Sequence, residues 1–154
     1  AVVNDVAESL RASGVHRLLI VSGHGGNYVL ANIVQEASIH EARMALFPTG
    51  EDWRKARLDA SLTTGSHDDM HAGELETSIL LHALPGIVRA GYEAADHQAD
   101  HRPHLLTLGM RGYTTSGVIG SPSLGTAEKG KEILESLARS AQPHLGVLRY
   151  NQRE

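Results

Sequence analysis

The chain has 154 residues, of which 41% are hydrophobic and 21% charged, enough for one domain with a core of its own. Aromatic residues make up only 4% and there is no cysteine, so the core must be aliphatic and no disulfide framework can hold it. A net charge of −4 without a long basic run argues against nucleic acid as a partner. The longest apolar run, Leu18–Val21, is far too short to cross a bilayer, and with no signal-peptide pattern the expected location is the cytoplasm.

Val2, Val6 and Leu10 recur at helical spacing up to Gly14, a good stop signal. Val15–Ser22 follows as a strand whose run of apolar residues predicts burial on both faces, as in a central parallel strand. A glycine-rich turn leads into a predicted helix over Asn27–Glu41, and Arg43–Phe47 reads as a second strand stopped by Pro48. This alternation is the grammar of an α/β sheet. A short helix is expected around Trp53, a polar loop over Leu62–Asp69, and a helix over His71–Leu84 with Leu75, Ile79 and Leu80 facing inward.

Gly86–Leu124 is loop-like, with Leu105–Leu108 as a weak candidate strand. The last helix starts near Ala127 with Thr126 as N-cap, carries Ile133, Leu134, Leu137, Ala141 and Leu145 on one stripe, and should be interrupted at Pro143. Two good strands are too few for a sheet covered on both faces. The others must come from weak segments, another subunit or sequence beyond this chain. No repeat or linker divides residues 1–154, which read as a single α/β domain.

Two segments carry chemistry. Ser22-Gly23-His24-Gly25-Gly26-Asn27 places an imidazole just past the carboxyl end of a strand, where ligands collect in open parallel sheets. Glycines there let the backbone approach a bound species, which makes Gly25, Gly26 and Asn27 candidate substrate-binding positions, with Asn27 also able to cap the next helix. The bland reading is a plain strand-to-helix turn, and a rival one is a phosphate loop. The glycine spacing is not G-x-G-x-x-G, and no acidic residue closes the second strand.

The second segment is His71-Ala72-Gly73-Glu74-Leu75-Glu76-Thr77. On a helix His71 and Glu74 share a face while Glu76 points away from Glu74. The pair could ligate a metal, or one member could move protons; a solvated helix start is the alternative. His67, Asp68 and Asp69 add ligand-type side chains in a loop that is equally well surface. Imidazole and carboxylate suit zinc, manganese or iron in a chain without thiolates.

Together with Gly117-Val118-Ile119-Gly120-Ser121-Pro122 and Thr126-Ala127-Glu128-Lys129-Gly130 in the same order, these segments resemble the creatininase (creatinine amidohydrolase) family. The resemblance implies a metal-dependent amidohydrolase on a three-layer α/β/α fold with a mainly parallel sheet, binding one or two divalent ions and forming a homo-oligomer. It implies that His24 and Glu74 ligate metal and that His71 is catalytic, transferring a proton. All three are expected to converge around a common cation.

Creatinine-cleaving members carry Tyr and Glu directly after the histidine, where this chain has Gly25 and Gly26, so another small-molecule amide is the expected substrate. The resemblance also implies that the chain is the carboxyl-terminal two-thirds of a larger domain, without the upstream Glu-x-His segment and Asp that complete the metal site, and inactive or nearly so by itself. The alternatives are a small-molecule or nucleotide-binding module using the glycine turn, and a catalytically inactive family member.

Overall fold

The computed structural model describes residues 2–149; Ala1 and 150–154 lie outside the described residues. Two compact units emerge, one formed by Ala1–Trp53 with Leu137–Glu154 and the other by Arg54–Ser136.

In the first unit, α1 (Val2–Ala12) ends as the sequence predicts. Gly14 adopts φ +85°, a conformation that glycine enters without penalty, and the Val15 amide donates back to the Leu10 carbonyl at 2.9 Å. β1 (Leu18–Val21) pairs in parallel with β2 (Met44–Phe47), with Leu18 opposite Met44 and Val21 opposite Phe47. The crossover between them is α2 (Val29–Ala37). Ser38 closes it, its hydroxyl accepting from the Met44 amide at 3.1 Å and donating to the Met44 carbonyl at 3.2 Å.

The βαβ unit is therefore as expected, but β1 is not the doubly buried strand of the sequence reading. Its first three residues are half-buried and Val21 is exposed. Among the described residues β1 has only β2 as a neighbour, and a strand with one neighbour has too little around it to bury both faces. The buried apolar residues of this unit are Phe47, Leu137 and Leu148.

α3 (Gly50–Asp59) begins in this unit with a reciprocal cap. The Thr49 amide donates to Asp52 Oδ2 at 2.7 Å, and Thr49 Oγ accepts from the Asp52 amide at 3.4 Å. His144 Nε2 lies 3.0 Å from the same Asp52 oxygen, and its ring meets Phe47 edge-on at 5.3 Å. Burial pushes the Asp52 carboxyl up, but the Thr49 hydroxyl and amide and the His144 ring outweigh it and hold the group below the usual carboxylate range.

A carboxylate depressed in the folded state contributes stability above its unfolded value, about 3.9, and loses it as pH falls through the folded value. Denaturant unfolding should therefore show a drop from pH 6 to pH 3. Asp52→Asn should lower stability by about 1 kcal/mol at pH 6 and flatten that drop. An unchanged acid drop in the variant would remove Asp52 from the account.

In the second unit, α4 (Glu74–Ala83) is shorter than the helix predicted over 71–84. His71 instead forms an antiparallel bridge with Ile119, and His97 forms another with Gly120. Residues 85–124 contain 3-10 turns at Pro85–Ile87, Tyr92–Ala94, Met110–Gly112 and Pro122–Leu124. Leu105–Leu108, the candidate strand, is instead a single helical turn, α5; four apolar residues in a row satisfy either period, and the Leu108 and Gly109 amides find carbonyls four residues back.

α6 (Ala127–Arg149) starts where Thr126 predicts, its hydroxyl accepting from the Lys129 amide at 3.2 Å. It runs through Pro143 without interruption. A proline removes one ladder donor, and a helix of 23 residues tolerates that loss when the flanking turns are intact. Ile133 is buried, whereas Leu134 is exposed.

The core of this unit is unusually polar. Beside Ala56, Ala60, Leu75, Ile119 and Ile133, it buries Asp69, Glu74, Thr77, Ser78, Thr114, Ser121 and Ser136.

Candidate functional site

The glycine turn after β1 is built around the His24 ring. The Gly26 amide donates to His24 Nδ1 at 2.9 Å, and the Asn27 side-chain amide donates to Ser22 Oγ at 3.2 Å. Asn27 thus closes the turn rather than capping α2, whose N-cap is Tyr28 without a side-chain cap bond. A Cβ on Gly26 would lie 2.7 Å from His24 Cε1, so a side chain there would displace the ring; a Cβ on Gly23 or Gly25 would meet nothing within 4 Å. Gly25 leaves open space beside an exposed imidazole. A cleft of about 290 Å³ in this unit opens at the other end of the strands, lined by Val15, His16, Leu18, Ile33 and Arg43 among others.

His71 lies in the second unit and outside any helix, so the shared helical face with Glu74 is not formed. The His71 amide donates to the Ile119 carbonyl at 2.9 Å, and the Ile119 amide returns to the His71 carbonyl at 2.9 Å. Ala72 then takes φ +53°, a left-handed conformation that a side-chain-bearing residue enters at some energetic expense. Its amide donates to Glu76 Oε2. That carboxylate oxygen sits 3.7 Å from His71 Nδ1, and both side chains are partly solvent-exposed, at 42% and 43%. Imidazole and carboxylate in that arrangement can hold and pass a proton.

Glu74 has no exposed surface. Its Oε1 meets Lys129 Nζ at 2.6 Å, and its Oε2 accepts from the Thr64 amide at 2.9 Å and the Thr64 hydroxyl at 2.7 Å. The Thr63 amide donates to the same carboxylate. Burial pushes the Glu74 carboxyl up, but the Lys129 ammonium and the Thr64 and Thr63 donors outweigh it and hold the group low. As placed, both oxygens are occupied, so the metal-ligand role implied for Glu74 would require displacing Lys129.

Asp69, in a segment that the sequence reads equally well as surface, is buried. Its carboxylate accepts from the Glu74 amide and, at 3.0 Å, from the Leu75 amide, and pairs with Arg57 at 3.1 Å. The signal was present: α4 has glycine at its N-cap, so its first amides need an acceptor from elsewhere.

One grouping of described residues has ligand atoms mutually within 4.8 Å, namely His67, Asp68 and Asp100, all exposed. The chemistry of that donor set fits a cation poorly as it stands. His67 Nε2 lies 3.0 Å from the Asp100 carbonyl and Nδ1 lies 3.3 Å from the Arg102 guanidinium, a positive charge where an ion would sit. His24 fits better, being exposed and on a glycine turn, provided that Nδ1 releases the Gly26 amide.

The sequence profile described as "Creatininase: Creatinine amidohydrolase" matches residues 1–142. A mycofactocin precursor peptide peptidase of Mycobacterium ulcerans (strain Agy99) is 32% identical over 124 residues, covering 79% of this chain and 44% of that protein. Its counterpart in Mycobacterium tuberculosis (strain ATCC 25618 / H37Rv) is 30% identical over 131 residues, covering 82% and 46%. A solved creatininase variant complexed with creatine superposes with a TM-score of 0.71 at 20% identity, covering 97% of this chain and 64% of that one. The α/β fold is therefore creatininase-like, and the chain spans less than half the length of these curated relatives.

Proposed function

The chain belongs to the creatininase family, hydrolases acting on C–N bonds, and from that membership we propose that it forms part of a metal-dependent amidohydrolase that cleaves a peptide or similar amide bond. The observation that carries this reading is the half-exposed His71 imidazole beside Glu76 on a bonded turn. A peptide-like substrate is favoured over creatinine because the curated relatives named above are peptide peptidases and because Gly25 has open space around it, next to His24.

In this mechanism His24 would help to hold a zinc, manganese or iron ion, which would supply Lewis acidity and an activated water near neutral pH. His71 donates a proton to the departing nitrogen, and Glu76 steadies the charged imidazole. The open backbone of Gly25, Gly26 and Asn27 borders the substrate. Glu74 remains the anchor of the segment that carries His71. A cytoplasmic homo-oligomer belongs to the same proposal; no helix among the described residues is long and apolar enough to cross a membrane.

The test uses this chain and a longer form matching the full length of the relatives. In the longer form, His24→Ala should abolish tight metal binding by elemental analysis. His71→Ala should lower turnover about 100-fold or more while metal content stays near the wild-type value. Wild-type rates from both variants would overturn the reading.

A further inference from the structure

The groups around the His71 turn are more heavily engineered than a helix start requires. Asp69 has 1% of its side chain exposed and faces Arg57, which is also largely buried. The same guanidinium donates to the Asp69 carbonyl at 3.1 Å and to the Thr64 carbonyl at 3.2 Å, so the loop before His71 is fastened at two points to one side chain. Beyond His71, a Cβ on Gly73 would fall 1.6 Å from Asp69 Oδ1 and 2.9 Å from the Gly120 Cα. Gly120, at φ +155°, faces the same carboxylate oxygen, 2.6 Å from its would-be Cβ.

Two glycine backbones are thus pressed together over one buried carboxylate. The Ile119–His71 bridge lies one residue before Gly120 and two residues before Gly73. Between the bridge and the helix only Ala72 and Gly73 are left, and closing so short a span puts Ala72 in the left-handed region.

We propose that Asp69 is a positioning residue for His71: the carboxylate, ion-paired with Arg57 and accepting the first two amides of α4, holds the Ala72–Gly73 turn closed and so fixes where the imidazole points. An ordinary N-cap would hold the helix start from an adjacent residue; this acceptor reaches it from five residues upstream, enclosing His71 in the loop it closes. The proposal rests on the reading that His71 transfers a proton, but its test does not.

The experiment is NMR on the folded chain, following the His71 Cε1–H resonance and the three-bond amide coupling of Ala72, which reports φ directly. Asp69→Asn keeps the shape, removes the charge and spoils one acceptor. At a temperature where circular dichroism shows it folded, both His71 and Ala72 signals should move. Ser78→Ala is the control, since Ser78 bonds the Glu74 carbonyl and the Thr126 amide and weakens the same helix without touching Asp69. It should lower Tm and leave both signals in place.

If Asp69→Asn does not fold, Arg57→Lys, which keeps the charge opposite Asp69 but loses the fork, carries the same comparison. Loss of Tm with unmoved signals, or equal movement in Ser78→Ala, overturns the proposal. A wild-type rate from His71→Ala would instead overturn the functional reading and leave the positioning result standing.

Discussion

Replacing Lys129 by methionine is expected to remove about 3–5 kcal/mol of stability, a large share of the roughly 5–15 kcal/mol that holds a typical domain folded. The cause is what the variant leaves behind. Glu74 has no contact with solvent and keeps only neutral donors from Thr63 and Thr64 once the ammonium 2.6 Å away is gone. Lys129 also donates to the Leu124 carbonyl at 2.8 Å, so the loop before α6 loses a tie as well.

The pH dependence separates this explanation from lost packing. In the wild type the Glu74 carboxyl is held low, so its contribution is complete above the unfolded value of about 4.3 and fades as pH falls through the folded value. Without Lys129 the main lowering partner is absent and burial prevails, so protonation now relieves the variant. The gap between wild type and variant should narrow as pH is lowered from 7 toward 4 in urea titrations. Glu74→Gln combined with Lys129→Met should recover part of the loss, because neither partner then leaves a buried charge. Strictly additive losses in the double variant would sink the argument.

Where the sequence was legible, one element determined its own state. α1 carries helical periodicity up to a proper stop residue and α6 carries it from a proper start residue, and β1 and β2 are short apolar runs around a helix. That Glu74 and Glu76 point apart was also readable, because helix geometry alone separates them, but their assignment was reversed: Glu74, expected beside His71, is buried, and Glu76 lies there instead.

What escaped depends on partners far along the chain. His71 has every local feature of a first-turn helical residue, and only Ile119, 48 residues later, draws it into a bridge. Asp68 and Asp69 are adjacent and chemically identical, yet Asp68 is exposed and Asp69 buried because Arg57 and the uncapped amides of α4 meet one of them. Glycines likewise look alike in a sequence: Gly73 and Gly120 are fixed by mutual contact, whereas Gly25 has open space. The division into two units has no linker to mark it, since its boundaries fall within α3 and α6.

α6 offers the second large effect, in a form that isolates packing from propensity. Both Gly130 and Gly146 lie inside this helix, where alanine is intrinsically better by about 1 kcal/mol. At Gly146 a Cβ would meet nothing within 4 Å, so Gly146→Ala should stabilise the protein by about 0.5–1 kcal/mol. At Gly130 the new carbon would lie 2.0 Å from the Ser78 carbonyl oxygen and 2.5 Å from its carbon. Those are backbone atoms of α4 and cannot turn aside as a side-chain tip would.

α6 must therefore shift, and the groups beside Gly130 move with it. The Ser78 hydroxyl loses the Thr126 amide at 3.1 Å and Glu74 loses its close approach to Lys129. Overpacking of this kind removes about 3 kcal/mol, against a propensity gain of about 1 kcal/mol, so Gly130→Ala should be destabilising by about 2 kcal/mol or more. Identical substitutions in one helix thus change Tm in opposite directions. A stabilising Gly130→Ala would mean that α4 and α6 do not approach as closely as the Ser78 contact requires, and with that the buried Glu74–Lys129 pair would lose its foundation.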